Sequence, residues 1–300
     1  MPRRPPVPRA LAAFLFAGGF ISSPGIPASD YSYSVVPIHQ SDSDLDSGGS
    51  AGYTGVLASL GRSWTIDSGA SLGFRLRLDY ADWRFDDLGA FGGFAPWSEV
   101  YRGGLAIPYS VTTDGGWRWS LTPTVEYSGE SGAKFSDSLE YGASLVAARA
   151  IRPDLTLGLG VGVYYRIEET SAFPFVMIDW RITDRLRLSN PTAGGPSGPA
   201  GLELKYALDS GWEVGLGAAY RSDRFRLDRD GPFPGGVGEQ RAVPVLASIG
   251  RQLSDGLSLR LYAGVALGSK LRVEDEDGRR LYDDDRDPAA MVGLLVSGRF

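Results

Sequence analysis

The chain ends in the stretch Ala289-Ala290-Met291-Val292-Gly293-Leu294-Leu295-Val296-Ser297-Gly298-Arg299-Phe300. From Val292 onward the even positions hold Val, Leu, Val, Gly and Phe, whereas the odd positions hold Gly, Leu, Ser and Arg. Because successive side chains of a strand point to opposite faces, this period of two predicts a β-strand with one apolar face. The stretch decides the fold if the rest of the chain repeats its pattern.

The same alternation recurs along the chain. Between Ser71 and Tyr80 the even positions are Leu, Phe, Leu, Leu and Tyr, and the odd positions are Ser, Gly, Arg, Arg and Asp. Between Leu155 and Ile167 the odd positions are apolar, and three glycines, Gly158, Gly160 and Gly162, lie between them. We interpret these glycines as small residues facing the interior of a sheet, because no helix follows to make a dinucleotide-binding loop.

The connections between these segments fall into two classes that alternate along the chain. Segments of roughly ten residues are long enough to cross a bilayer as tilted strands. The sequence therefore predicts an all-β fold, a transmembrane up-and-down antiparallel β-barrel of about 14 strands, with 12 as the alternative. An even count requires the weak stretch at Tyr31 to be the first strand. Short turns are predicted near Asp67, Asp114, Pro153, Asp184, Asp209 and Asp255, and longer loops near Asp44, Ala90, Gly132, Ser171, Gly194, Pro232 and Asp283.

Composition narrows the class of protein. The chain has 300 residues, with 41 Gly, 7 Trp and no Cys. The lack of cysteine excludes a disulfide framework, a thiolate metal site and a lipoprotein anchor. A net charge of −6 and a pI near 5.0 argue against nucleic acid as a partner. The mean hydropathy of −0.12 is typical of soluble proteins, but alternation hides the apolar face of a barrel strand from this average.

The N-terminus predicts export. Arg3, Arg4 and Arg9 precede an apolar run from Ala10 to Ile21, and small residues lead to Ala28. This arrangement is typical of a secretory signal peptide, and the run is too short to span a membrane as a helix. We expect residues 1–28 to be the signal peptide and residues 29–300 to be the barrel.

The tryptophans support the membrane interpretation. All of them are predicted at strand ends, where indole side chains occupy the interfacial level of a bilayer. The predicted aromatic girdle consists of Trp64, Trp83, Trp97, Trp117, Trp119, Trp180 and Trp212.

A closing strand that ends on an aromatic residue resembles that of bacterial outer-membrane β-barrel proteins. Stretches from Leu188 to Tyr206 and from Tyr220 to Leu227 are also similar to a group of such barrels known only as a domain of unknown function. The resemblance covers residues 29–300 and implies a location in the outer membrane of a Gram-negative envelope. It also implies that the barrel assembly machinery reads Phe300 as an assembly signal, and it brings no activity.

Charged residues are predicted on the inner face of the barrel. The hypothesis is a hydrated channel whose basic lining favours anions. The alternative is a lumen closed by Arg–carboxylate pairs or by an inward-folded acidic loop, and the sequence favours neither. The predicted lumen-lining residues are Arg75, Arg77, Asp79, Arg102, Arg118, Glu126, Arg166, Glu168, Asp179, Arg181, Arg221, Arg260 and Lys270.

Catalytic and metal sites have little support in the sequence. His39 is the only histidine, so a Ser–His lipid hydrolase of the outer membrane, which such barrels include, would have to use it. His39 lies in the weakest predicted strand, and catalysis needs a rigid mount. The acidic segment from Glu274 to Asp287 has carboxylates for Ca²⁺, but its spacing is wrong for an EF-hand and a solvated loop is the simpler interpretation. No cofactor is predicted.

Together these observations favour an outer-membrane barrel that acts as a passive channel for small solutes, anionic ones included. A structural or surface-interaction barrel with a closed lumen is the second hypothesis, and a lipid hydrolase is the third. The predicted partners are the lipid bilayer, the barrel assembly machinery and small solutes.

Overall fold

A computed structural model describes residues 31–87, 89–191 and 194–300, and the predicted signal peptide lies outside these ranges. The described residues fold into one closed antiparallel barrel of 14 strands, which confirms the predicted fold class. The strands are β1 (Tyr31–Asp44), β2 (Ser50–Asp67), β3 (Ala70–Asp86), β4 (Glu99–Ala106 with Tyr109–Thr112), β5 (Trp117–Glu130), β6 (Leu139–Arg152), β7 (Leu155–Arg166), β8 (Thr170–Arg181), β9 (Leu186–Ser189), β10 (Gly201–Ala207), β11 (Trp212–Ala219 with Arg221–Arg226), β12 (Val237–Ser254), β13 (Leu257–Glu274) and β14 (Arg280–Arg286 with Ala289–Arg299).

The barrel closes between its first and last strands. Val35 of β1 lies opposite Val296 of β14, and the terminal Phe300 exchanges two backbone hydrogen bonds of 3.0 Å with Tyr31. The stretch at Tyr31 is therefore the first strand, as an even count requires. Prolines account for the interruptions of β4 at Pro108 and of β14 at Pro288, because proline has no backbone N–H to donate to the ladder.

Along its axis the barrel has two halves, which we call turn-side and loop-side. The turn-side half adjoins the short turns, such as that between β12 and β13, and the loop-side half adjoins the longer connections. Two predicted loops are shorter than expected. The β7–β8 connection contains only residues 167–169, with Ile167 and Glu168 at positive φ. The loop predicted near Asp283 is shorter because part of the acidic segment forms the strand Arg280–Arg286.

The outer face carries the apolar residues of the alternating pattern. Leu78 and Leu159 are 67% and 71% exposed, and their strand neighbours Arg77 and Gly160 point inward. Exposed apolar side chains on every long strand are stable where lipid replaces water around the barrel.

Exposed tryptophans lie only on the turn side of the barrel. Trp64, Trp117, Trp119, Trp180 and Trp212 lie beside short turns, and all but the half-buried Trp180 are at least 37% exposed. The prediction was wrong for Trp83 and Trp97, which are 6% and 2% exposed inside the loop-side lumen. Trp83 shares the odd positions of Arg75, Arg77 and Asp79 and therefore faces inward. Tyrosines on the outer face supply the aromatic band of the loop side: Tyr80, Tyr101, Tyr141 and Tyr165.

Candidate functional site

The turn-side half of the lumen is hollow. It holds a cavity of about 1180 Å³ that reaches the β12–β13 turn at Asp255 and Gly256. Small polar side chains on the inner faces of neighbouring strands leave this space and make it hydrophilic. Serine hydroxyls pair across strands at Ser34 and Ser59, 2.7 Å apart, and at Ser258 and Ser297, 2.8 Å apart.

Arginines project into the cavity from β3 and β5. Arg75 lies opposite Gly61 and Ala106, and Arg77 lies opposite Ser59 and Gly104. Because the cross-strand neighbours of both arginines are small, the long side chains have room to extend into the lumen.

Positive charge is in surplus along the cavity wall. Arg118 donates to the Ser110 hydroxyl at 3.1 Å, whereas Arg77 pairs with Asp79 at 2.5 Å. Among the described residues that line the cavity, seven are cationic and five are carboxylates, which favours anions in a confined space. The cations are Arg75, Arg77, Arg118, Arg187, Lys205, Arg221 and Arg299, and the carboxylates are Asp79, Glu126, Asp179, Asp223 and Asp255.

The wall formed by β7 and β8 is aromatic instead. Phe173 lies opposite Gly162, and Phe175 lies opposite Gly160. A Cβ atom on Gly160 would approach the Phe175 ring to 2.2 Å, so the ring lies flat over the space that the missing side chain leaves. The glycines of β7 are therefore small inner-face residues that seat aromatic rings from β8.

Buried ion pairs form the roof of the cavity. The second part of β11, Arg221–Arg226, bends across the lumen until Arg226 lies opposite Gly129 of β5. Arg102 of β4 contacts Asp223 of this segment at 2.7 Å and Glu126 of β5 at 2.9 Å. Since all three side chains are almost fully buried, their charges are neutralised mainly by one another.

The loop-side lumen above this roof is filled by apolar side chains. Trp97 contacts Trp83 and Phe225 edge to face, with ring centroids 5.6 and 5.1 Å apart. Phe91 and Tyr53 complete what we call the aromatic core. These buried side chains occupy the loop-side lumen and separate the cavity from the loops.

Seven of the predicted lumen residues line the cavity, and the others lie elsewhere. Arg75, Arg77, Asp79, Arg118, Glu126, Asp179 and Arg221 line the cavity. Arg102 belongs to the roof, Arg166 is buried against Glu140 at 3.7 Å, and Arg260 pairs with Glu213. Arg181 is exposed beside a short turn.

The structure contradicts the prediction for two residues. Glu168 lies in the β7–β8 turn, where it pairs with Arg226 at 2.5 Å. Lys270 lies on the face opposite the fully buried Leu271 and contacts Asp283 at 3.3 Å. A bulge near Gly268, which has φ +55°, reverses the alternation of β13 and moves Lys270 to the other face.

Several site residues were missed. Arg187, Lys205 and Asp223 lie in β9, β10 and the inward segment of β11, whose patterns were too short or too irregular to assign a face. Phe173 and Phe175 were missed because proline follows one and precedes the other; the glycines opposite them were the available signal.

The described residues form no cluster that supports the catalytic hypothesis or the metal-site hypothesis. His39 lies on the face opposite the buried Ile38 and Gln40, and its Nδ1 hydrogen bonds with the Thr54 hydroxyl at 3.0 Å. In the described ranges no group of three or more His, Cys, Asp or Glu residues is placed to hold a metal ion. Likewise, no described helix has the length and apolar character to cross a membrane.

Several solved structures are similar to this chain. An outer membrane channel from Pseudomonas putida F1 has a TM-score of 0.51 at 9% identity, over 93% of this chain and 99% of that one. A FadL homologue from Pseudomonas aeruginosa has a TM-score of 0.43 at 13% identity, over 90% and 89%. LpxR from Salmonella typhimurium has a TM-score of 0.36 at 10% identity, over 90% and 100%.

No protein-family model matches the chain, and no curated protein sequence is significantly similar to it. The likeness to the Pseudomonas putida channel, at low identity, is a likeness of fold. It identifies the described residues as a β-barrel of the architecture found in outer-membrane channels.

Proposed function

We propose that this protein is an outer-membrane channel for small solutes, with a preference for anions. The observation that carries the proposal is the hollow turn-side lumen of about 1180 Å³ with its surplus of cationic side chains. A barrel that served only as a scaffold would gain stability by filling this space, because packed side chains stabilise a fold and cavities destabilise it.

The structure corresponds to a closed state of such a channel. The roof at Arg102 and the aromatic core at Trp97 block the route to the loops. Passage along the barrel axis therefore requires the inward segment Arg221–Arg226 to move, together with the aromatic residues that pack on it.

A closed structural barrel is the second candidate, and the filled loop-side lumen favours it. A buried arginine network with an apolar core above it holds opposite walls of the barrel together. With that function no solute would pass through the cavity. Substitutions that remove the aromatic core would then weaken the barrel without producing conductance.

Planar-bilayer recordings on refolded protein separate these functions. We expect rare openings for the unmodified chain and frequent, anion-preferring openings after Trp97→Ala with Phe225→Ala, because these rings occupy the axial route. Leu78→Ala with Leu121→Ala is the matched control, since both side chains are exposed on the outer face and neither lines the cavity. Silent core variants that still show heat-modifiable electrophoretic mobility would contradict the channel and support the structural barrel.

A further inference from the structure

The barrel wall is incomplete on the loop side of β9. This strand has only four residues and pairs with β8 at three positions, Asp179, Trp180 and Arg181. In the described part of the chain, β8 has no strand neighbour on this side from Thr170 to Met177. The next strand, β10, begins at Gly201 and pairs with β9 and β11. We call the space between residues 170–177 and the start of β10 the wall gap.

The side chain of Asn190 closes the lower edge of this gap. Its Nδ2 donates to the carbonyl oxygens of Val176 at 3.2 Å and Gly201 at 3.0 Å, and its Oδ1 accepts from the Ile178 N–H at 2.9 Å. The amide thus continues the ladder where strand pairing stops. These contacts also show that the backbone groups of even-numbered β8 residues point toward the gap.

Proline makes the open edge of β8 tolerable. Pro174 has the parity of Val176 and Ile178, so a residue with an N–H here would point an unpaired donor into the gap. Such a donor is costly at membrane depth, and proline lacks it. The sequence is thus suited to an edge at this position, as prolines on edge strands generally are.

Gly194 and Pro196, described residues of the connection between β9 and β10, lie inside the lumen. A Cβ on Gly194 would lie 2.5 Å from the hydroxyl of Ser34 on β1, and the Pro196 ring lies 3.4 Å from the Cβ position of Gly293 on β14. Arg221 donates to the Pro196 carbonyl at 3.3 Å. These contacts hold Gly194 and Pro196 against the opposite wall and away from the gap.

The gap lies at the depth of the hydrocarbon layer. Across β7 and β8, Tyr165 of the loop-side aromatic band lies opposite Thr170, and Trp180 of the turn-side girdle lies opposite Leu155. Val176, opposite Leu159, lies between these two levels. The cavity is lined there by inner-face residues such as Phe175 and also by outer-face residues such as Val176, so it reaches the lipid-facing surface through the gap.

From this geometry we infer that the solute of the channel is a single-chain amphiphilic anion that enters or leaves the cavity sideways, through the wall gap. The aromatic wall at Phe173 and Phe175 adjoins the gap and suits an alkyl chain. The arginines of β3 and β5 suit a carboxylate, sulfonate or phosphate head group. A purely hydrophilic solute has no use for an opening at hydrocarbon depth. The inference rests on the proposed channel function and names its solute class and route.

Photo-crosslinking in proteoliposomes tests it. The probe is dodecyl sulfonate with a diazirine near the end of its chain, and the comparison probe has a trimethylammonium head group. Residue-level mass spectrometry should place sulfonate adducts on Phe173, Phe175 and Met177, whose side chains face the cavity. Equal adducts from the ammonium probe would overturn the anionic class.

Arg75→Ser should lower sulfonate adducts roughly tenfold, the loss expected for one charge-assisted contact.

A bulky label at the gap tests the route. The chain has no cysteine, so Val176→Cys and Val161→Cys can each be alkylated uniquely with pyrene maleimide. Both residues are exposed on the outer surface, but Val176 lies on the open edge of β8 and lines the cavity, whereas Val161 lies on β7 and does not line it. The label at position 176 should reduce inner-face adducts to background, and the label at position 161 should leave them unchanged. Unchanged adducts with both labels would overturn lateral entry.

These outcomes are distinguishable from failure of the proposed function. Crosslinking is measured at equilibrium without voltage, so it requires entry into the cavity and not passage along the axis. If no conductance is observed but sulfonate adducts form and are blocked by the label at Val176, the axial channel is contradicted and lateral binding is supported. Conductance with no inner-face adducts would leave the channel and remove the amphiphile.

Discussion

The two halves of the lumen are made by the same strands and differ in what their inner faces carry. On β1 the inward residues change from Ser32 and Ser34 on the turn side to Val36 and Ile38 on the loop side. On β3 they change from Arg75 and Arg77 to Trp83 and Phe85. Alternation determines only which residues face inward, and their size and polarity determine whether the lumen is hollow or packed.

The inward bend of β11 is the boundary between these halves. One face of Arg221–Arg226 contributes Phe225 to the aromatic core. The other face directs Arg224 to the β7–β8 turn and to β13, where it pairs with Glu274 at 2.5 Å. A single strand thereby joins an apolar core to a buried ion network, and variants can weaken one without the other.

The largest effect is expected for Arg224→Ala. This side chain is almost fully buried, and its loss leaves Glu274 and two carbonyl oxygens without their donor. Breaking one partner of a buried pair typically costs about 3–5 kcal/mol of the free energy of unfolding. Urea titration of refolded protein in vesicles measures it. Arg279→Ala is the control, because Arg279 is exposed, pairs with Asp277 at the surface and should cost below about 1 kcal/mol. Equal losses would show that the buried contacts of Arg224 contribute nothing to stability.

A smaller effect is expected for Gly160→Ala in the hollow half. The new methyl group would overlap the Phe175 ring, and overpacking typically costs about 1–3 kcal/mol. The same urea titration measures the loss, and Phe175→Leu in the same chain should restore most of it. Gly103→Ala is the control, since its Cβ would meet Leu78 at an ordinary 3.6 Å. A Gly160→Ala variant as stable as this control would place the ring elsewhere.

Ion selectivity should distinguish the cavity from the rest of the charged surface. Reversing Arg75 and Arg77 to Glu should lower the anion-to-cation permeability ratio of the opened channel about fivefold, since charges near water-filled space interact by roughly 1 kcal/mol. Lys270→Glu should leave the ratio unchanged, because Lys270 lies on the other face beside Asp283. Reversal potentials of the Trp97→Ala/Phe225→Ala channel in a salt gradient provide the measurement. A shift with Lys270→Glu alone would contradict this placement.

The fold was predictable because a period of two is a local property that every long strand displays. Trp83 was predictable too, since it has the parity of Arg75 and Arg77, but its position near a strand end suggested a girdle. Lys270 was not predictable, because the bulge at Gly268 reverses a strand whose sequence continues to alternate. The roof and the wall gap depend on contacts between distant segments, such as Arg102 with Asp223 and Gly194 with Ser34. No pattern within one strand encodes such contacts.

The smallest effect on stability is expected at Phe300, where the effect on assembly should be large. Phe300 is 72% exposed and stacks on Tyr31 with centroids 5.4 Å apart. Phe135, in a loop, is 67% exposed and stacks on Tyr127 at the same distance. Replacing either by Ala should cost about 0.5–1.5 kcal/mol in refolded protein, the usual contribution of such a pair.

Expression in cells then distinguishes the contribution of the Phe300 ring to packing from its recognition by the assembly machinery. If the assembly machinery reads the terminal aromatic residue, Phe300→Ala should lower the yield of folded barrel in the outer membrane, whereas Phe135→Ala should not. Phe300 also lies 6.1 Å from the Tyr33 ring, so the stabilities of the two refolded variants are compared first, and a difference in yield beyond the difference in stability reports recognition. Equal yields would mean that closure by the backbone bonds between Phe300 and Tyr31 is sufficient, and that the side chain at the terminus carries no signal.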